Sequence, residues 1–249
     1  PEIQEVHPFS SGFKASINTL ECTSCGICID HCHFDAIDYN EEGDLVIDPY
    51  HCEGCRLCER TCPENAISSV KGKNNKWFVS TSRFGDFCHA EMGPGEENSG
   101  KLVSQIRKKA MEIAQNTQSE YIINDGPPGI GCATISSISG SNAVIVIIEP
   151  TLSGLNDAQR LVDLIKIFNI HTYAVINKFD INMTMTQKIE QYLISKNIAL
   201  LAKIPFDVEL VKSMTVGKTI IEYNPASIIS NQIHGIWNKV KEDQDVVVH

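Results

Sequence analysis

Short apolar, β-branched runs recur through the second half of the chain, at residues 121–124, 143–148, 172–176 and 199–204, and each predicts a strand. Helical stretches lie before and between them, over residues 100–116, 153–168 and about 184–196. A last helix is predicted from Asn224-Pro225, a cap and first-turn pair, to about Val240. Strand and helix alternating at this spacing imply right-handed crossovers and a mainly parallel sheet covered by helices on both faces, an α/β fold. Ligands of such sheets sit at the carboxyl ends of strands. This texture is predicted from about Trp77. Residues 17–70 are different: short, turn-rich and full of cysteine, with Asn40-Glu41-Glu42-Gly43-Asp44 as a central turn and residues 71–76 as a polar exit. The chain opens at Pro1 in what reads as loop, and a segment upstream of it is expected.

Two cysteine rows occupy that module: Cys22, Cys25, Cys28, Cys32 and then Cys52, Cys55, Cys58, Cys62 followed by Pro63, both spaced x2-x2-x3 and thirty residues apart. Three thiolates two residues apart wrap one face of an iron–sulfur cube, and the fourth is carried away from it. In two-cluster ferredoxins that fourth cysteine ligates the other cluster. One [4Fe–4S] cluster is thus expected on Cys22, Cys25, Cys28 and Cys62, the other on Cys52, Cys55, Cys58 and Cys32. The flanks repeat too, Asp35-Ala36-Ile37 against Asn65-Ala66-Ile67. Zinc sites use C-x2-C pairs joined by longer loops, and a disulfide framework belongs to secreted chains, so neither fits.

With 249 residues the chain can bury one sizeable core beside a small module. Its longest purely apolar run, residues 143–148, is far too short for a membrane span. No signal peptide is visible, and oxygen-sensitive clusters fit a reducing cytoplasm. Formal charge is −10; two thiolate-ligated cubes would take it to about −14. That disfavours nucleic acid as a partner and fits a docking site for a basic redox partner, although most acidic surfaces merely keep proteins soluble.

Acidic and amide groups mark the strand ends. Asp125-Gly126-Pro127-Pro128-Gly129 follows the first predicted strand: the carboxylate can hold the water shell of Mg²⁺, and the glycine turn can present an N–H to a γ-phosphate. An acidic strand end followed by a tight turn is the plainer alternative. Asn177-Lys178-Phe179-Asp180 closes another strand, and its Asn amide suits a base edge; the spelling also matches the guanine signature of GTPases. Glu149-Pro150-Thr151 and Ile204-Pro205-Phe206-Asp207 complete the row. A phosphate-cradling loop is not among the motifs. Residues 95–102 come near but end in Leu102, which cannot ligate Mg²⁺, and read as an acidic loop capping the next helix. Val216-Gly217-Lys218-Thr219 fails because Lys212 stands at the first glycine's position.

Together, both cysteine rows, residues 93–103, Asp125 to Cys132, and the motifs at 149–151, 177–180 and 204–207 resemble the MinD-type P-loop ATPases with an inserted bacterial-type two-cluster ferredoxin domain. This class, often labelled cobyrinic acid a,c-diamide synthase-like, also includes Mrp-type proteins and the nitrogenase iron protein. The resemblance covers nearly the whole chain. It implies a ferredoxin domain at 17–70 within an ATPase domain formed by 1–16 and 71–249, with the P-loop upstream of Pro1. It makes Asp125 the Mg²⁺ and switch aspartate, Gly129 the γ-phosphate sensor and Asn177 the adenine contact, with Lys178, Asp180 and Pro205 beside the nucleotide. ATP, Mg²⁺ and a homodimer closed around ATP are implied as well. His33 stands where the first repeat usually has Pro. Cys132 lies where the iron protein ligates a subunit-bridging cluster, but Cys88 is misplaced as its second ligand, so no third cluster is expected and Cys132 is read as a small buried side chain. The implied function is electron transfer switched by ATP. The alternative is an Mrp-like cluster carrier serving an apo-target protein. The tail after Asp243 is short and not basic, which argues against a MinD-like membrane cycle. No glutaminase-like Cys/His arrangement supports amide synthesis.

Overall fold

The computed structural model describes residues 1–10, 12–71, 75–93 and 99–243, in two units, Pro1–Asp125 and Gly126–His249. The first unit holds β1 (Glu2–Phe9), β2 (Phe13–Ile17), α1 (Ile27–Asp30), β3 (Ile37–Tyr39), β4 (Leu45–Ile47), α2 (Leu57–Thr61), β5 (Ile67–Lys71), β6 (Asn75–Ser82), β7 (Gly85–Glu91) and α3 (Gly100–Thr117). The opening of the chain is therefore strand, not loop. β1 is fixed by an antiparallel ladder with β6, which pairs in turn with β7. A ladder formed with residues some seventy positions away leaves little local trace. Trp77 likewise lies in this antiparallel sheet rather than at the start of an alternating α/β texture. It stacks on His7 across the ladder, ring centroids 3.9 Å apart.

Between β1 and β6 the cysteine module closes on itself. β2 and β5 pair antiparallel and β3 and β4 form a hairpin. The hairpin turn is the expected one: Asn40 Oδ1 accepts the N–H of Glu42 at 3.0 Å and of Asp44 at 2.8 Å. The internal repeat extends to the backbone. Positive φ occurs at Ser24 and Gly54, at Gly26 and Arg56, and at Asp35 and Asn65, each pair thirty residues apart. At Gly54 (φ +64) a Cβ would lie 1.9 Å from the carbonyl oxygen of Phe13, so only glycine lets β2 pass over this loop. Of the expected polar exit, residues 72–74 lie outside the described residues.

In the second unit α4 (Cys132–Ile138), β8 (Ala143–Ile148), α5 (Leu152–Ile167), β9 (His171–Asn177), α6 (Met183–Ser195), β10 (Ala199–Ile204), α7 (Val208–Thr215), α8 (Ile220–Tyr223) and α9 (Ile228–Glu242) follow in order. The sheet is parallel, β10-β9-β8. Central β9 is buried on both faces, Tyr173 to Ile176 being at most 2% exposed, as a covered parallel strand must be. Ile148, Val162, Ile165, Ile176, Ile189 and Leu193 fill one face; Tyr173, Val175 and Leu201 pack with Ile236 and Val240 of α9 on the other.

Three expectations change here. Residues 121–124 join no sheet; Ile123 is 81% exposed, and an apolar run without a ladder and a buried face does not make a strand. The last helix is capped by Ser227, not by Asn224, which instead ends α8. Cys132 is exposed, because it opens α4 immediately after Gly131 instead of sitting under it. Val216 to Thr219 is a helix junction: Val216 ends α7, and Thr219 caps α8 in a reciprocal box with Glu222. Among the described residues no helix is long and apolar enough to cross a membrane.

Candidate functional site

Ten cysteines are present and none is joined in a disulfide. Eight of them line two separate cavities in the module. The first is walled by Cys22, Cys25, Cys28 and Cys62, the second by Cys32, Cys52, Cys55 and Cys58. Each cavity therefore takes three cysteines of one row and the last cysteine of the other. The same partition governs the electrostatics. Burial pushes the Cys28 thiol up, and Cys22, Cys25 and Cys62 push it the same way; burial likewise raises Cys58, with Cys52, Cys55 and Cys32 as its like-charged neighbours. Four thiolates cannot ionise together in such a place without a cation among them.

Backbone N–H groups turn towards these sulfurs. Ser24 donates to Cys22 and Ala66 to Cys62 around the first cavity, at 3.4 and 3.3 Å; Ala15 donates to Cys52 and Ala36 to Cys32 around the second, both at 3.4 Å. Among the described residues no three His, Cys, Asp or Glu side chains converge as a single ion requires. The sulfurs instead stand around a void, which suits a cube with thiolates on its corners and does not suit zinc. The donor set thus fits two [4Fe–4S] clusters. One cysteine of each set, Cys25 and Cys55, is exposed, so each cavity has a route to the surface.

Sequence reasoning missed what β2 brings to the second cavity. Lys14 Nζ donates to the Cys52 carbonyl at 2.7 Å, and Arg56, which lines that cavity, stacks its guanidinium 4.0 Å from the Phe13 ring centroid. Arg56 Nε is buried without a hydrogen bond, 3.5 Å from Glu59 Oε2. No local signal ties Lys14 to a cysteine 38 positions away; only the tight Gly54 turn hints at a crossing strand.

The other predicted residues fall as follows. Asp125 closes the first unit and is exposed. Gly129 sits in a turn with φ +84 and open space where a Cβ would be, so backbone conformation rather than crowding demands glycine there. The second unit gathers a row of strand ends. Asn177 ends β9 and is paired in register with Ile204, which places Pro205 beside it. Lys178 Nζ meets Glu149 Oε1 at 2.6 Å, and Asp180 Oδ1 accepts the Phe206 N–H at 2.8 Å. One oxygen of Asp180 is thus engaged in tying the loop after β9 to the loop after β10. Ser99 caps α3 by accepting from Leu102 N, while residues 94–98 of the near-miss loop lie outside the described residues. Cys88 is half-buried in β7, and burial raises its thiol.

Comparison with known proteins matches residues 21–66 to the family described as "4Fe-4S dicluster domain" and residues 98–241 to ParA, "NUBPL iron-transfer P-loop NTPase". An uncharacterized protein of Methanocaldococcus jannaschii is 32% identical over 222 residues, 89% of this chain and 72% of its own length. The pyruvate synthase subunit PorD of that organism is 36% identical over 59 residues, 24% of this chain and 69% of its own. Among solved structures, the MinC:MinD cell division protein complex of Aquifex aeolicus gives a TM-score of 0.50 at 17% identity, covering 67% of this chain and 68% of that one; at that identity the likeness shows the fold.

Proposed function

We infer the function from one premise: the chain belongs to the ParA family of P-loop NTPases described as NUBPL iron-transfer, and it carries a 4Fe-4S dicluster domain. On that premise we propose that it couples ATP binding and hydrolysis to electron transfer. One observation carries the reading: two cavities of four cysteines, each stapled across both repeats and each with one exposed cysteine. Such sites hold a resident group rather than a labile one. The likeness of the module to a pyruvate synthase subunit supports the same reading.

Each cluster, when bound, supplies a one-electron couple. The chain's own part is to hold, screen and gate. The eight thiolates fix the positions, and the N–H groups of Ala15, Ser24, Ala36 and Ala66 stabilise negative charge on sulfur. Of the residues that the family resemblance assigns to nucleotide, Asp125 would hold the hydration shell of Mg²⁺, Gly129 would offer its N–H to the terminal phosphate, and Asn177 would read the base edge. Lys178, Asp180 and Pro205 would shape the wall beside it, held by the Glu149 and Phe206 contacts. A homodimer closed around ATP and a basic redox partner complete the proposal.

The test is the rate of cluster reduction in the complete protein under ATP, ADP and no nucleotide. Couplings of roughly 1–3 kcal/mol give about 5- to 150-fold differences. Asp125→Ala should collapse the three rates to one with iron content intact. A single rate in wild type would end the gating proposal. The family's description favours a second reading, delivery of a cluster to an apo-protein. It predicts iron leaving the chain for an apo-acceptor as fast as ATP turns over, and full retention excludes it.

A further inference from the structure

The two cavities share a ligand pattern but not an electrostatic setting, and the difference traces to β2. Ala15 pairs with Ser69 of β5, yet its N–H turns the other way, to Cys52 Sγ. This is how an antiparallel strand treats a non-hydrogen-bonded pair: the donor is left for a neighbour. Gly54 accepts the backbone of Phe13 where any side chain would collide. β2 thus lies against the Cys52 loop like a strap. It sets two cations there, its own Lys14 on the Cys52 carbonyl and, through stacking on Phe13, Arg56.

The charges lining the second cavity are Arg56, Glu53 and, when protonated, His31, with Lys14 adjoining and Glu59 3.5 Å from Arg56; among the described residues the first is lined by Glu64 and by no basic side chain. Sulfur acceptors do not separate the two, because among the described residues each cavity has two backbone donors. Burial works the other way, since Cys52 and Cys58 are both buried while only Cys28 is in the first set. A low dielectric penalises added negative charge, but it also strengthens a nearby cation, and Lys14 touches the very peptide that carries a ligand.

We propose that β2 makes the sites unequal: the site of Cys32, Cys52, Cys55 and Cys58 has the higher reduction potential, so an electron entering the module comes to rest there and leaves past exposed Cys55. This rests on the electron-transfer reading above. A one-electron donor reduces the first site; passage to the second reoxidises the first and reduces the second, with no bond made or broken and no proton moved.

The experiment is an anaerobic redox titration of the complete, cluster-loaded protein with dithionite and mediators, followed by visible absorbance and electron paramagnetic resonance. Wild type should show two separate one-electron waves. Lys14→Gln should lower the higher wave and leave the lower one in place, Lys14→Arg should leave both, and Glu64→Gln should raise the lower wave alone. Iron content near the wild-type value checks that each variant folds. Coincident waves in wild type, or a Lys14→Gln shift in the lower wave, in both or in neither, overturn the proposal while leaving electron transfer standing. Clusters that dithionite cannot reversibly reduce overturn both readings.

Discussion

Replacing Cys62 by Ser is expected to damage a cluster whose other ligands lie more than thirty residues away, since Cys62 walls the cavity of Cys22, Cys25 and Cys28. Pairing variants makes this decisive. Cys62→Ser with Cys25→Ser should lose no more iron than the worse single variant, because both act on one site. Cys62→Ser with Cys55→Ser, each variant loaded with excess iron and sulfide, should lose about twice as much, because the two remove ligands from different sites. Iron and acid-labile sulfide are the readout, from about eight of each in wild type, as two cubes require. Additivity in the first pair would mean that each row binds its own cluster. At this scale most of the site is legible in the sequence, because thiolate spacing is a short-range property. Lys14 and Arg56 are not, because their role depends on which strand crosses the Cys52 loop.

Helix α9 lies over one face of the parallel sheet, so its N-terminus matters beyond its own turn. Ser227 accepts the Ser230 N–H at 3.1 Å, and the Ser230 hydroxyl bonds the Asn224 carbonyl at 2.7 Å. Ser227→Ala is expected to cost about 1 kcal/mol. In a chain of this size that lowers the thermal midpoint by about 2–4 °C, measurable by circular dichroism; no change would mean that the cap bond is replaced by water. The three strands of the parallel sheet and the helices α3, α5 and α6 are legible from apolar patterning to within two residues. The departures share one cause. Strand β1 exists through its long-range ladder with β6, and β7 through the hairpin that returns it onto β6 after Arg83-Phe84, while residues 121–124 have strand-like composition without a ladder, so in each case pairing rather than composition decides. The sequence alone does not place the cap of α9, because Asn224-Pro225 and Ser227 are equally good local signals, and only the preceding short helix α8 chooses between them.

Across the whole molecule the charge is lopsided. Residues 17–70 hold eleven of the 31 acidic and two of the 21 basic residues, so nine of the ten net negative charges belong to the cluster module. Reduction by a basic protein donor should therefore slow steeply as ionic strength rises from 0.01 to 0.15 M, where the Debye length falls from about 30 to about 8 Å. A neutral small-molecule donor should be indifferent. Equal salt dependence for the two would place docking elsewhere. The crossed cavities have a further consequence, for how the module is built. Each site needs both repeats, so an empty chain must bring the halves together before either site is complete. Whichever cluster arrives first bears that ordering and leaves the second site assembled. Loading should then be cooperative, with singly filled chains scarce at half-saturating iron and sulfide. A severed half, however faithful its three-cysteine row, would keep neither cluster.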